Sequence, residues 1–404
     1  MGRRHGCDGL RILFAIAFFV VACAHPTAAQ QQINIGLLAP FTGLWAEQGR
    51  LMRVGAEMAL EDINSQGGVK SMGGAKLNLV VADTGATVET ATNAAQRLLG
   101  SGNIAALDCC WLSSFTLAAR EIGERLHVPI LTFASNDSIV QGGYKYIFRS
   151  GTGTDLQVRT AIKLIKESAA KAGKKITTAA LLGDNTAVSV SYFKNLEDIL
   201  PKNDVKILAN RVWTPPLADA VPLAVALRDS PPDIIFLGTT TFDDSVAIIR
   251  ALSAVHVKRP ILGTGSQFLT PEFFKALGPS DIEGVMATQG SAITKDPFAA
   301  EFLDRFKKRT GEGWTTHNTT SSYAELWIIK DALESAGSAD PVKVRDALAS
   351  IHITAPPPTA FLGVDVKFEP SGQNAGALNF IVQWQNGVPV LVAPAEVAAA
   401  PLKM

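Results

Sequence analysis

Two short polar clusters hold the side chains best suited to gripping a small anion. Ser113 and Ser114 follow the apolar run 104–107 and open a helix-period segment over 113–125, while Ala134, Ser135 and Asn136 follow the apolar run 129–133. Hydroxyls, an amide and the orphan N–H groups of a helix start can all donate to a carboxylate. The same residue types also cap helices and stabilise turns, so residue type alone leaves both roles open. Catalytic chemistry lacks its parts: the chain has no G-x-S-x-G, no phosphate-binding P-loop and no H-E-x-x-H, and His5, His25, His127, His256, His317 and His352 are scattered. No enzyme activity and no cofactor are expected. Cys109 and Cys110 are neighbours without further ligands at finger-like spacing, so the expectation is two buried thiols at a strand end rather than a disulfide or a metal site.

The elements that must position these clusters alternate in type. Strands are predicted at 33–39, 77–82, 104–107 and 129–133, with helices at 45–64, 88–99 and 113–125 between them. The rhythm restarts with helices at 156–172, 188–200, 220–228 and 245–255 and strands at 177–182, 205–212, 234–238 and 261–263. Runs such as Ile234-Ile235-Phe236-Leu237 are apolar without alternation, as in a sheet covered by helices on both faces. The expected fold class is α/β, two lobes with parallel sheets. Ligands of such sheets lie beyond the strand C-termini, which singles out the loops after each strand, including Thr239 to Asp243 in the second lobe.

A chain of 404 residues with 47% hydrophobic content exceeds one ordinary core and can supply two. Lys plus Arg number 37 and Asp plus Glu 37, so there is no positive excess and no nucleic-acid partner is expected. At the N-terminus, Arg3, Arg4 and Arg11 precede an apolar run over 12–21, and small and polar residues follow to Ala29. This is the pattern of a secretory signal peptide over 1–29 with mature start Gln30, and the run is about half of what a membrane span needs. An alternative reads Val20-Val21-Ala22-Cys23 as a lipobox, with Cys23 lipidated. Removing the leader takes three Arg and one Asp with it and leaves the remainder faintly acidic.

The opening Ile33-Asn34-Ile35-Gly36-Leu37-Leu38-Ala39-Pro40-Phe41-Thr42-Gly43 is followed by Ala59-Leu60-Glu61-Asp62-Ile63-Asn64, Gly67-Gly68-Val69, Asp83, Val128-Pro129-Ile130, Phe148-Arg149 and Gln383-Trp384-Gln385-Asn386-Gly387. In order and spacing these resemble the leucine/isoleucine/valine-binding protein family of bacterial ABC importers, within the type I periplasmic binding proteins. The resemblance implies two Rossmann-like lobes joined by a three-crossing hinge. Lobe one would be 30–153 plus 285–375, lobe two 154–284 plus 376–394, with a C-terminal tail at 395–404. It also implies a monomeric periplasmic protein that captures a small-molecule ligand and delivers it to an ABC permease at the inner membrane; a sensor of the same fold is the alternative.

The resemblance further implies that Ser113, Ser114, Ala134, Ser135 and Asn136 contact the ligand, with Asn136 in place of a threonine. Gln48 falls where relatives place an aromatic residue over the ligand, and nearby Trp45 is the candidate to restore that wall. Thr154 at the first crossing and Thr240 in the second lobe complete the candidate set. Two departures stand out. The acidic partner of a ligand ammonium, expected after 261–263, is replaced by Thr264-Gly265-Ser266-Gln267, and Asp184 lacks the Tyr-Gly that follows it in the family pattern. An unpaired buried ammonium is costly, so standard branched-chain amino acids are expected to bind poorly unless Asp184, Asp243 or Asp244 substitutes.

Overall fold

The computed structural model describes residues 1–3 and 32–404, so the leader run, its cleavage region and Cys7 and Cys23 lie outside the described residues. Among the described residues no helix is long and apolar enough to cross a membrane. In lobe one, β1 Gln32–Ala39, α1 Ala46–Ser65, β2 Lys76–Asp83, α2 Val88–Gly100, β3 Ala106–Cys109, α3 Ser113–Leu126, β4 Ile130–Thr132 and β5 Ile147–Arg149 build a parallel sheet in the order β2-β1-β3-β4-β5. The strand β5 carries no periodicity that a sequence reading could find, because it is three residues long. Asp83 holds the loop after β1 in place, accepting from the Phe41 N–H at 2.8 Å and the Thr42 hydroxyl at 2.6 Å.

Lobe two runs through α4 Thr154–Lys171, β6 Thr178–Asp184, α5 Ala187–Lys202, β7 Lys206–Trp213, α6 Val221–Asp229, β8 Ile234–Gly238, α7 Phe242–Ala254, β9 Ile261–Thr264, α8 Pro271–Leu277, α9 Pro279–Ile282 and β10 Met286–Gln289. The chain then returns to lobe one as α10 Pro297–Thr310, α11 His317–Ala336, α12 Pro341–Ser350, β11 His352–Ile353, α13 Pro358–Leu362 and β12 Val366–Lys367. It comes back to lobe two as β13 Phe380–Gln385 and β14 Val388–Ala393. The second sheet has the order β14-β13-β10-β9-β8-β6-β7.

The two α/β lobes with parallel sheets are as expected, and three details differ. The second sheet is mixed rather than wholly parallel, because β13 enters antiparallel to β10 and turns back at once into β14. Asn386 (φ 55°) and Gly387 (φ 78°) form that two-residue turn, whose left-handed backbone matches the twist of paired strands. The second crossing comes after Gln289 rather than at Val285, since β10 is hydrogen-bonded into the second sheet. Finally, Cys109 and Cys110 are joined in a disulfide between neighbouring residues, where two thiols were expected.

The tail beyond 394 is pinned to lobe two by two buried glutamines of β13. Gln383 donates to the Lys403 carbonyl at 2.7 Å and accepts from its N–H at 2.9 Å, and Gln385 donates to the Pro401 carbonyl at 3.0 Å.

Helix α11 is the centre of lobe one, with residues 316–329 all buried. It packs along α1 at backbone distance: a Cβ on Gly55 would lie 2.1 Å from the Thr319 carbonyl oxygen. Asp62 of α1 ties the group together, accepting from both Arg305 nitrogens at 2.6 and 2.8 Å and from the Tyr323 hydroxyl. Below the hinge, Asp108 of β3 faces Glu325 and Ser322 of α11, and Glu325 accepts from Ser150 at 2.5 Å. Burial pushes both carboxyls up, Asp108 to about 6 and Glu325 well above the carboxylate range, where the neighbouring Asp108 adds to the effect.

Two outcomes follow from this packing. Gly55→Ala should destabilise the fold by about 1–3 kcal/mol, the usual cost of forcing atoms into a filled interface, read by denaturant titration; unchanged stability would contradict the close helix approach. Carboxyls raised in the fold stabilise it while protonated. The contribution is complete below the unfolded value of about 4 and is lost as pH rises through the raised folded values. The melting temperature should therefore fall between pH 4 and 7 by a component that the Asp108→Asn/Glu325→Gln double variant lacks, and an identical slope in that variant would exclude the pair as its source.

Candidate ligand-binding cleft

The C-terminal ends of β3 and β4 in lobe one face those of β6, β8, β9 and β10 in lobe two, so the loops after these strands meet between the lobes. They enclose a cavity of about 40 Å³. Lobe one contributes Trp111, Leu112, Ser113, Phe133, Ala134, Ser135 and His317, and lobe two contributes Gln157, Val188, Thr240, Thr264, Gly265 and Thr288. A larger groove of about 280 Å³, beside Lys258 and Arg259, lies where β9 and β10 begin, the opposite end of the sheet from the cleft.

The lobes are drawn together by hydrogen bonds across the opening. Ser114 accepts from the Ala187 N–H at 3.2 Å, Asn136 donates to the Ala187 carbonyl at 2.6 Å, and Ser266 donates to Gln48 at 2.6 Å.

The candidate residues divide accordingly. Ser113, Ala134, Ser135 and Thr240 line the cavity. Ser113 and Ser114 are the first two residues of α3, whose N-cap position is Leu112 without a side-chain cap, so neither serine plays the capping role that the sequence left open. The Ser113 and Ser114 N–H groups are thus available at the cleft, where the helix dipole favours an anion, while those of Phe115 and Thr116 donate to the Leu112 carbonyl. Ser113 Oγ accepts from the Asn136 N–H at 3.2 Å, and Ser135 Oγ accepts from Gln157 at 2.9 Å; each hydroxyl keeps its proton to donate.

The other five candidates do not line the cavity. Gln48 is held between Ser266 and Asn318. Trp45 packs edge-on to Phe115 at 5.7 Å, so Trp111 and Phe133 form the aromatic wall in its stead. Ser114 and Asn136 serve closure. The Asn136 oxygen also accepts from the Ser138 N–H at 2.8 Å, the turn-stabilising role. Thr154 is spent on Asp137 and Ser191, at 2.7 and 2.6 Å.

Among the described residues no carboxylate lines the cavity. Asp184 is fully buried and accepts from the Thr186 N–H and hydroxyl and from the Thr240 N–H and hydroxyl, at 2.6–3.0 Å. Asp244 accepts from Trp213 Nε1 and the Leu217 N–H, and Asp243 is exposed. All three acids named as substitutes for a lost ammonium partner are therefore engaged elsewhere or face solvent. His317, which the scattered-histidine reading passed over, is buried at the cavity wall, and burial pulls its imidazole down to about 3, so it is neutral. The signal available for it was the polar run 315–322, too hydrophilic for an ordinary core helix.

Known proteins share this architecture. The isoleucine complex of the branched-chain amino acid transporter substrate-binding protein LivJ from Streptococcus pneumoniae superposes with a TM-score of 0.78 at 18% identity, covering 90% of this chain and 100% of that one. An ABC transporter solute-binding protein from R. palustris in complex with benzoate superposes at 0.76 with 16% identity, covering 92% and 97%. In sequence, Leu/Ile/Val-binding protein homolog 7 of Brucella suis biovar 1 (strain 1330) is 27% identical over 394 residues, 95% of this chain and 96% of the relative. The pattern of the periplasmic binding protein family matches residues 32–388, and the chain belongs to that family.

Proposed function

We propose that the protein is the substrate-binding component of an ABC importer, which closes on a small carboxylate-bearing ligand without a free α-ammonium group and presents it to a permease at the inner membrane. The leader pattern at the N-terminus supports a periplasmic site of action. No chemistry on the ligand is involved. Binding energy goes into the equilibrium between open and closed lobes, and the closed form is what a permease reads.

One observation carries this reading: the cavity has the uncapped start of α3 and its serine to receive a carboxylate, and among the described residues no acid on its wall to receive an ammonium. An ammonium held there would lose its hydration without gaining a counter-charge. The benzoate of the R. palustris protein is an acid of the required kind; the isoleucine of the LivJ complex is not. Trp111, Leu112, Phe133 and Val188 supply apolar surface for the body of such an acid, and the lobes must part beyond the present cavity of about 40 Å³ to admit it.

Isothermal titration with leucine, isoleucine and valine, alongside benzoate and 4-methylpentanoate, tests the reading. The amino acids should bind at least about a hundredfold more weakly than the better of the two acids, the range over which a lost charge partner acts. Micromolar or tighter binding of any of the three amino acids would contradict it. With the better acid, Ser113→Ala should weaken binding roughly ten- to a hundredfold, because the hydroxyl bonds a charged group. Unchanged affinity at an unchanged melting temperature would remove Ser113 from the site.

A further inference from the structure

His317 opens α11 with its ring in edge contact with Phe133, centroids 5.2 Å apart, and both side chains line the cavity. Its Nδ1 accepts from the Gly290 N–H at 3.0 Å. A ring nitrogen that accepts carries no proton, so the neutral imidazole bears its hydrogen on Nε2. The backbone fixes the residue further: its N–H donates to Gln289 at 3.1 Å, and its carbonyl accepts from Ser291. Nε2 is buried and has no partner among the described residues, and on the lobe-two wall the buried Thr264 hydroxyl also has none there. His317 and Thr264 both line this cavity, His317 at its boundary with a neighbouring cavity of about 240 Å³, and their two unpaired groups are exceptions to the rule that buried polar groups are nearly always paired.

We propose that the ligand carries, besides its carboxylate, a neutral oxygen, a carbonyl or hydroxyl, that accepts from His317 Nε2–H and bonds the Thr264 hydroxyl across the cleft. This rests on the reading of the cleft as an acid site and narrows it to oxo and hydroxy acids. The histidine discriminates by the direction of its hydrogen bond. An ammonium presents only donors and cannot receive one from Nε2–H, whereas an oxygen of similar size can. Because the proton position is dictated by Gly290, which lies on the second crossing between the lobes, the selecting group is held by the hinge itself. An oxygen bonded to His317 and Thr264 together bridges the lobes, so the ligand that satisfies both groups also favours closure.

Titration calorimetry with two matched series tests the assignment: 4-methylpentanoate, 4-methyl-2-oxopentanoate and leucine, and benzoate with its 3-hydroxy and 4-hydroxy forms. In at least one series the oxygenated acid should bind the wild type about three- to tenfold tighter than its parent, the gain of one neutral hydrogen bond, with leucine the weakest of its series. His317→Asn places an amide oxygen near the Nδ1 position for Gly290 while removing Nε2–H; it should erase the gap between each oxygenated acid and its parent. His317→Gln, whose amide reaches the Nε2 position, should restore part of it, and melting temperatures of both variants report the fold. A parent acid that binds as tightly as its oxygenated partners in both series, or a gap that persists in His317→Asn, would overturn the role of His317 while sparing the acid site. Failure of every acid to bind the wild type would overturn the acid site and this proposal with it.

Discussion

Closing two lobes over a small cavity removes water from every polar group on its walls, and each such group must then find a partner or carry the cost. In this protein Asp184 and Asp244 have found theirs within the chain. Asp184 accepts from two N–H groups and two hydroxyls, so the carboxylate bonded to the cavity-lining Thr240 is saturated by Thr186 and Thr240 before any ligand arrives. What remains on the walls is donor-rich: the start of α3, the serine hydroxyls and a neutral histidine. The anionic ligand we propose rests on that imbalance rather than on any single contact.

The same imbalance explains why α11 matters. It is a core helix whose first half is polar, and its position is set by backbone contact with α1 at Gly55 and by the Asp62, Arg305 and Tyr323 cluster. That rigid seat holds His317 at the cleft and Asn318 against Gln48, which in turn meets Ser266 of the other lobe. The crossings are packed together as well. Gln373 donates to the Gly151 carbonyl at 2.8 Å and Asn374 to the Ser150 carbonyl at 3.1 Å, so the third crossing is stitched to the first. The crossings thus form one bundle, the kind of hinge about which lobes can turn as units.

Much of the fold was legible in the sequence because its elements announce themselves by period. The β8 run Ile234–Gly238 was read with its observed bounds, and α3 began where Ser113 suggested. The elements that escaped are those whose identity is tertiary. Strand β5 is too short for a pattern, β10 lay beyond the last strand the period revealed, and α11 hides in a polar run because its neighbours, not solvent, satisfy its hydroxyls. The site was half legible for a related reason. Serines and threonines after strands could be named, but whether one faces the cavity, as Ser113 does, or bridges the lobes, as Ser114 does, depends on a rotation of one residue about the helix axis. Trp45 and Trp111 exchange the expected aromatic role for the same reason: each sits in a loop after a strand, and only packing against Phe115 decides which is covered.

The most direct test of the account is a crystal structure of the closed protein with the tightest-binding acid from the titrations. The account predicts the ligand carboxylate within hydrogen-bonding distance of Ser113 and the first N–H groups of α3, the apolar body against Trp111 and Phe133, and no ligand nitrogen at Asp184. A ligand ammonium paired with Asp184, or a ligand bound outside the interlobe cleft, would contradict it.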